Sequence, residues 1–264
     1  MASMNDTVRL LQLSDPHLFA RKDGMLKGVR TYDSLQLVLA HARRHHWNAE
    51  ALLLSGDLVH DDPGGYALIR ETFGALGKPV HCLAGNHDLG EALQAELAEP
   101  PFTIGGHIDR GHWRLVMLDS TVPGQAHGSL RDTELRRLEQ ALAGAGGRHV
   151  LICVHHHPVP MASRWLDEVR LLNAEQLFTI TDRSSAVRAI SWGHVHQTFD
   201  ARRKGVRLLG APSTCAQFLP FSDHFAIDPR APGYRRLTLL ADGSIDTEVV
   251  RVEPAAAAAL RAAG

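Results

Sequence analysis

Residues 150–158 read VLICVHHHP, an apolar run that ends in His155, His156, His157 and a proline. A short apolar run that is rich in β-branched residues and bounded by turn residues predicts a buried strand rather than a helix. In α/β folds, functional side chains gather beyond the carboxyl ends of the strands. The stretch therefore predicts a buried strand that delivers histidines to a functional edge of a sheet.

Six further apolar runs predict strands at residues 8–13, 51–55, 80–84, 114–118, 189–192 and 206–210. Between several of these runs the apolar spacing becomes helical. Residues 35–42 follow the candidate caps Thr31 and Asp33, and residues 135–142 follow Asp132. Strands that alternate with helices predict an α/β layered domain.

The C-terminal part of the chain has a different pattern. Two alternating runs between residues 234 and 252 flank Asp242 and Gly243, which predicts a hairpin at an antiparallel sheet edge. Residues 157–182 form the longest stretch with little strand character. Long loops in compact domains often bind ligands, so we expect substrate contacts there.

The composition excludes several classes of function. Lys and Arg total 28 against 29 Asp and Glu, so no broad basic surface is expected for long nucleic acids. No apolar run approaches the roughly 20 residues of a membrane helix, and the first residues show no signal peptide. The three cysteines are widely spaced, which predicts a reducing, cytoplasmic environment. We expect one domain, residues 1–254, and a frayed Ala-rich tail at 255–264.

Five of the predicted strands are followed by metal-ligating types of residue. They are Asp15 and His17, then Asp57, then Asn86, His87 and Asp88, then the three histidines 155–157, then His194 and His196. Each group taken alone has a common structural explanation. An Asp after a strand is usually a cap or a turn residue, Asn86 after Gly85 is typical of a turn, and His194 and His196 could be surface histidines.

Taken together, the five groups point to metal binding. Two carboxylates, an amide oxygen and several imidazoles, without sulfur, suit manganese, iron or zinc. Residues two apart on an extended segment point the same way, so Asp15 with His17 and His194 with His196 can each face one centre. The set exceeds the needs of one ion and predicts a pair that shares a carboxylate.

The order DxH, GD, GNHD, HHP, GHxH, from Asp15 to His196, resembles the calcineurin-like metallophosphoesterase superfamily. The resemblance implies a four-layer αββα sandwich of two mixed β-sheets flanked by helices, with the metal site at the carboxyl ends of the strands. It also implies two metal ions, with iron or manganese preferred over zinc or cobalt. The motifs carry over as Asp15, His17, Asp57 and His196 for the first ion, and as Asp57, Asn86, His156 and His194 for the second.

The choice of His156 rests on its position two before Pro158 and on the alternation of side chains along an extended path. His155 and His157 are then expected to face away as neighbours. Two departures from the family pattern touch no ligand. Pro16 lies inside the first motif, and the histidine motif lacks the second proline that is common in the family.

The implied chemistry is phosphoester hydrolysis by a hydroxide that bridges the two ions. His87 would protonate the leaving oxygen as general acid, and Asp88 would orient His87. Substrate contacts are implied for His17, Asn86, His87 and His196. The alternative for His87 is a loop histidine that fills space or binds a phosphate oxygen.

Residues 15–35, 163–177 and 211–220 are further similar to the bacterial class III cyclic-nucleotide phosphodiesterases. This similarity, from Val8 to Val252, implies hydrolysis of 3′,5′-cyclic AMP, and of cyclic GMP as a further substrate, to the 5′-nucleotide. Trp165 and Phe218 could stack on the base or simply anchor their loops. A phosphodiesterase for glycerophosphodiesters, a scaffold without catalysis and a homodimeric assembly are alternatives that the sequence leaves open.

Overall fold

The computed structural model describes residues 7–253, so the predicted tail at 255–264 lies outside the described residues. The helices are α1 Thr31–His45, α2 Gly65–Gly74, α3 Gly90–Glu96, α4 Asp132–Ala143, α5 Arg164–Asp167 and α6 Ala174–Thr181. Two short hairpins lie outside the main sheets. They are β2 Met25–Leu26 with β3 Val29–Arg30, and β13 Gln217–Phe218 with β14 Ile227–Asp228.

The first large sheet contains six strands. They are β1 Val8–Leu13, β4 Ala51–Ser55, β5 Val80–Leu83, β6 Phe102–Ile104, β15 Gly233–Leu239 and β16 Ile245–Arg251. Their order is β16-β15-β1-β4-β5-β6, and the pairs from β1 to β6 are parallel. The C-terminal hairpin β15–β16 adds to β1 as an antiparallel edge, which confirms the prediction around Asp242 and Gly243.

The second large sheet also contains six strands. They are β7 Gly106–Arg110, β8 Trp113–Leu118, β9 His149–Val154, β10 Val187–Trp192, β11 Phe199–Arg203 and β12 Val206–Gly210. Their order is β11-β12-β10-β9-β8-β7, with a parallel centre and an antiparallel strand at each edge. All seven predicted strands are present within two residues of their predicted bounds.

The period-2 alternation of side chains explains the layers. In β4, Leu52 and Leu54 join an apolar cluster with α1 to α3, whereas Ala51 and Leu53 join a cluster that faces the second sheet. In the second sheet, Ile152 packs towards α4 and α6. Two sheets face each other with helices outside, so the predicted αββα sandwich is confirmed.

The region 157–182 differs in part from its prediction as a loop. Helices α5 and α6 lie inside it, and α6 buries Leu177 and Phe178 against the second sheet. A helical stripe of only eight residues is too short to be distinguished from a loop by its sequence pattern. In the part of the chain that the structure describes, no helix is long and apolar enough to cross a membrane.

Candidate metal centre

Five of the seven predicted ligands have left-handed backbone conformations. Their φ angles are 53° for Asp15, 47° for His17, 50° for Asp57, 64° for His194 and 48° for His196. Such conformations cost a non-glycine residue about 1–3 kcal/mol and cluster at functional sites, where the surrounding structure enforces them. The enforcement is visible for the first pair, because the amides of Asp15 and His17 donate to the carbonyls of Gly56 and Asp57 at 3.1 and 3.0 Å.

A first ligand group joins the ends of β1 and β10. The ligating atoms of Asp15, His17 and His196 lie within 4.8 Å of one another, and all three residues are buried. Nε2 of His196 lies 3.1 Å from Nε2 of His17 and 3.5 Å from Oδ1 of Asp15. Nδ1 of His196 donates to the carbonyl of Ala216 at 2.7 Å, so its Nε2 carries the lone pair.

A second group joins the ends of β9 and β10. The ring nitrogens of His155, His156 and His194 also lie within 4.8 Å of one another, and all three residues are buried. Within residues 7–253, Nε2 of each of these histidines has no hydrogen-bond partner, and neither does Oδ1 of Asn86. Buried polar atoms without partners are rare in folded proteins and call for a ligand.

Asp57 lies between the two groups. Its Oδ2 is 3.7 Å from Nε2 of His17 in the first group and 3.4 Å from Nε2 of His155 in the second. Its Oδ1 accepts the amide of His87 at 2.9 Å. A carboxylate placed in this way can serve two centres at once, as the sequence pattern predicts.

The protonation states of Asp57, His17 and His156 suit cation binding, whereas for His155 burial is outweighed by Asp57, which raises its pKa to about 9. Burial opposes ionisation of Asp57, but the neighbouring His155 and His17 outweigh it and hold the pKa of Asp57 well below its usual value. Burial lowers the pKa of His17 and His156 well below the usual value, so both imidazoles are neutral and keep a lone pair. Ionised carboxylates and neutral imidazoles are the states that bind metals. The residues present therefore fit two cations.

The predicted difference between His155 and His156 does not hold. The strand β9 ends at Val154 and residues 155–156 form a bend, so the alternation of an extended chain stops before the histidines. Both rings enter the second group. Nδ1 of His155 donates to the carbonyl of Ser55 at 2.8 Å, which directs its unpartnered Nε2 towards Asp57, and Nδ1 of His156 lies 2.8 Å from Oγ of Ser120. Which of the two binds the second ion stays a prediction.

The third histidine of the run has a different position. His157 is fully buried and its ring stacks at 5.7 Å on that of His194. Neither ring nitrogen has a hydrogen-bond partner within the described residues. Its nearest carboxylate is that of Asp167, 3.9 Å away in α5. His157 thus supports the ring of His194.

The predicted role of Asp88 in orienting His87 is wrong. Nδ1 of His87 instead lies 2.9 Å from Oδ2 of Asp61. The Asp88 carboxylate is half-buried and accepts the amides of Leu58 and Gly85 at 3.1 and 2.8 Å and the hydroxyl of Tyr66 at 2.9 Å. Burial and the charge of Asp57 raise the pKa of Asp88 to about 7. Asp88 thus ties together the loops that carry Asp57 and Asn86.

Sequence reasoning also missed His60, whose ring contacts those of His17 and His87. The signal was present, because His60 lies three residues after Asp57 on a segment that pairs with the one after β1. A single histidine outside a motif did not reveal that pairing.

A cavity of about 310 Å³ opens over the two groups. Its floor contains His17, Asp57, Asn86, His87, His194 and His196, and its wall contains Lys27, Trp165, Leu166, Val169, Phe218 and Phe225. The rings of Trp165, Phe218 and Phe225 contact one another edge to face at 5.2–5.3 Å. Phe218 stacks on His196 at 3.9 Å with only 7° between the planes. The predicted binding segment 157–182 contributes three of these wall residues.

Glycines at the site are required for space. A Cβ on Gly85 would overlap the carboxylate of Asp57, and one on Gly193 would overlap Oγ of Ser14. Beneath them, a buried polar network joins the two sheets, in which Nε2 of Gln12 donates to Oγ of Ser55 at 3.0 Å and Ser191 donates to Oε1 of Gln12 at 2.6 Å. The network fixes the strand ends that carry the ligands.

Comparison with known proteins is consistent with this geometry. The family described as calcineurin-like phosphoesterase matches residues 8–198. The chain is 40% identical to the 3′,5′-cyclic adenosine monophosphate phosphodiesterase CpdA of Pseudomonas aeruginosa, covering 94% of this chain and 91% of the relative. It is also 40% identical to the CpdA of Escherichia coli strain K12, covering 93% and 90%.

A dimetal phosphatase from Danio rerio has a similar structure, with a TM-score of 0.66 at 13% identity over 93% of this chain and 99% of that one. At that identity the likeness shows the fold alone. The family match and the relatives at 40% identity extend over most of the chain, and the family match spans the position of every predicted ligand. The chain belongs to the calcineurin-like phosphoesterase family.

Proposed function

We propose that the protein hydrolyses 3′,5′-cyclic AMP to 5′-AMP with two bound metal ions. The observation that carries the proposal is the pair of buried ligand groups on either side of Asp57, at the floor of a cavity with an aromatic wall. The substrate is suggested by the relatives at 40% identity that are named for this activity.

We assign the first ion to Asp15, His17, Asp57 and His196. The second ion is assigned to Asp57, Asn86, His156 and His194. His155 lies in the same ligand group and is the alternative to His156. When bound, the ions supply a water of lowered pKa and positive charge for the phosphoryl oxygens. Iron and manganese are the proposed metals, since oxygen and imidazole donors without sulfur suit them.

His87 is placed to supply a proton to the leaving oxygen. Its side chain is 31% exposed towards the cavity, and its ring lies 5.3 Å from that of His17. The Asp61 carboxylate accepts from Nδ1 of His87, which leaves Nε2 to donate to the O3′ of the ribose. A sugar alkoxide is a poor leaving group, so this proton is worth most for a substrate such as cyclic AMP. His17, Asn86 and His196 line the same floor and would contact the phosphate.

The aromatic wall is the proposed base subsite. Phe218 and Phe225 with Trp165 form an apolar surface over the metal ligands, and the ammonium of Lys27 lies 4.8 Å from the ring of Phe225. Purines stack on such rings at a gain of about 1–3 kcal/mol per base. Phe225 is 44% exposed, whereas a ring that only anchors its loop would be buried. The exposed part of the ring is available to stack on a base.

A cytoplasmic location completes the proposal. The three cysteines Cys82, Cys153 and Cys215 are free and buried, and burial raises the pKa of each thiol above its ordinary value. Free thiols and a metal site of imidazoles and carboxylates are compatible with a reducing compartment.

The test is a substrate panel on protein of measured metal content. The panel contains cyclic AMP, cyclic GMP, 2′,3′-cyclic AMP, a glycerophosphodiester and an aryl diester, with the Asp57→Ala variant as the inactive control. We expect the highest kcat/KM for cyclic AMP. Faster hydrolysis of the glycerophosphodiester would assign the protein to the alternative, broader class of diesterases, and the absence of hydrolysis by metal-loaded protein would favour the scaffold reading.

A further inference from the structure

His60 lies outside the seven predicted ligands, but its ring contacts those of both His17 and His87. Its Nδ1 is 3.2 Å from Nδ1 of His17, and its ring centroid is 4.3 Å from that of His87. The ring of Phe19 also packs edge to face on His60 at 5.5 Å. Three neighbouring rings thus contact His60.

The backbone fixes this approach. The amide of Leu18 donates to the carbonyl of Leu58 at 3.0 Å, and the amide of His60 donates to the carbonyl of Leu18 at 3.1 Å. These bonds continue the parallel pairing of β1 with β4 beyond the ends of the strands. The segment with His60 and the segment with His17 are thus joined by backbone hydrogen bonds. As a result, the two imidazoles face each other at their Nδ1 atoms.

Only one of two facing Nδ1 atoms carries a hydrogen in a hydrogen bond. Nε2 of His17 points to Oδ2 of Asp57 at 3.7 Å and to Nε2 of His196 at 3.1 Å, which is the first metal group. A neutral imidazole that offers Nε2 to a cation carries its hydrogen on Nδ1. It follows that His17 donates, that Nδ1 of His60 accepts, and that the hydrogen of His60 is on Nε2.

The same arrangement occurs twice more in the site with a different acceptor. Nδ1 of His155 donates to the carbonyl of Ser55 at 2.8 Å, and Nδ1 of His196 donates to the carbonyl of Ala216 at 2.7 Å. A carbonyl can only accept, so it fixes the tautomer of its histidine. For His17 the acceptor is not a carbonyl but the side chain of His60. Acceptors of this kind orient metal-bound histidines and raise their basicity.

We infer that His60 is a positioning residue that accepts the Nδ1 hydrogen of His17 and thereby holds Nε2 of His17 in the metal-binding state. The inference rests on the proposed role of His17 as a ligand, but not on the identity of the substrate. It predicts that metal affinity depends on an acceptor at position 60 rather than on an aromatic ring there.

Two variants separate the acceptor from the ring. His60→Leu removes the acceptor and keeps an apolar side chain, whereas His60→Asn places an amide oxygen near the former Nδ1. The holoenzyme of each variant is titrated with a chromophoric chelator, without nucleotide, and metal retained per chain is measured. Loss of an outer acceptor typically costs 10–100-fold in affinity, so we expect His60→Leu to release metal at roughly 10–100-fold lower chelator and His60→Asn to stay near the parent protein.

The matched control is His149→Leu. His149 is also half-buried and lies 3.1 Å from a carbonyl, that of Ala241, but it is at the opposite end of β9 from the site. This variant should retain metal like the parent, and circular dichroism compares the folding of all variants.

Three results would overturn the inference. They are unchanged metal retention by a folded His60→Leu variant, equal loss by His60→Asn and His60→Leu, and the loss of one whole ion by His60→Leu at saturating metal, since the last would make His60 itself a ligand. If the protein proves inactive on cyclic AMP while His60→Leu still weakens metal binding, only the proposed substrate fails and the inference stands.

Discussion

Oδ2 of Asp61 lies 2.9 Å from Nδ1 of His87. Asp61 is four residues after the proposed metal ligand Asp57, and its amide also donates to the carbonyl of His87 at 3.2 Å. The side chain of Asp61 is 64% exposed, so the pair adds little to stability. Its significance is geometric, because it directs Nδ1 of His87 to a carboxylate and leaves Nε2 for a different partner.

Replacing His87 with Ala should lower kcat for cyclic AMP by about 10²–10⁴-fold, the usual contribution of a positioned general acid. Bound metal should stay unchanged, since His87 is not a proposed ligand. The loss should be much smaller for an aryl diester, whose leaving group needs no proton. Steady-state rates on both substrates test this, and an equal loss on the two would exclude the general-acid role.

Replacing Asp61 with Asn should lower kcat for cyclic AMP by about tenfold. This is the lower end of the loss of activity seen when a carboxylate that orients a functional histidine is replaced. KM and metal content should change little, because Asp61 orients the ring of His87 and is not a proposed metal ligand. The control is the Asp33→Asn variant, at an exposed position in α1. If Asp61→Asn is as active as that control, Asp61 does not orient the acid.

The meeting of the candidate ligands could be predicted largely from the sequence, because the ends of parallel strands meet at one edge of a sheet. Once five strands each end in Asp, Asn or His, the fold brings them together without further information. His60 and Asp61 could not be found in this way. They lie beyond a strand end, and their role depends on the pairing of two loop segments.

The histidine run shows a second limit of sequence reasoning. Alternation separates neighbouring side chains only while the chain is extended, and here the strand ends one residue before His155. The carboxylate of Asp88 shows a third. Its place beside His87 in the chain suggests contact, but the loop turns it towards the amides of Leu58 and Gly85.

Replacing Asp57 with Ala should remove most of the bound metal and lower the activity by at least roughly 10³-fold. The reason is that both proposed ions share this carboxylate. The variant should fold. The amide of His87 loses its acceptor, but it lies at the cavity, where a water molecule can accept instead. Metal analysis by mass spectrometry after gel filtration gives the answer. Near-normal metal content would contradict a shared carboxylate.

Single Ala substitutions distinguish His155 from His156. Burial holds the pKa of His156 well below its usual value, so its imidazole keeps a lone pair, whereas for His155 burial is outweighed by Asp57, which raises its pKa to about 9. We therefore expect His156→Ala to retain about one ion per chain and His155→Ala to retain about two with weaker affinity. Metal content of both variants is measured at equal protein concentration. The opposite order would make His155 the ligand of the second ion.

His81 should make stability depend on pH. This histidine in β5 is 3% exposed, and both of its ring nitrogens are without a hydrogen-bond partner in the described chain. Burial and then the charge of Arg110 lower its pKa from 6.5 to about 4. The unfolded chain therefore binds a proton below pH 6.5 that the folded chain resists down to about pH 4. Stability from this group is complete above pH 6.5 and is lost as the pH falls towards 4.

The shift corresponds to a loss on the order of 3 kcal/mol across that interval. Replacing His81 with Leu should therefore flatten the fall in the free energy of unfolding between pH 6.5 and 4. Urea unfolding at half-unit pH steps, with the exposed His45→Leu variant as control, measures the difference. Release of metal at low pH affects all three proteins alike and cancels from the comparison. If His81→Leu and the parent lose stability in parallel, the protonation of His81 is not a cause of the acid sensitivity.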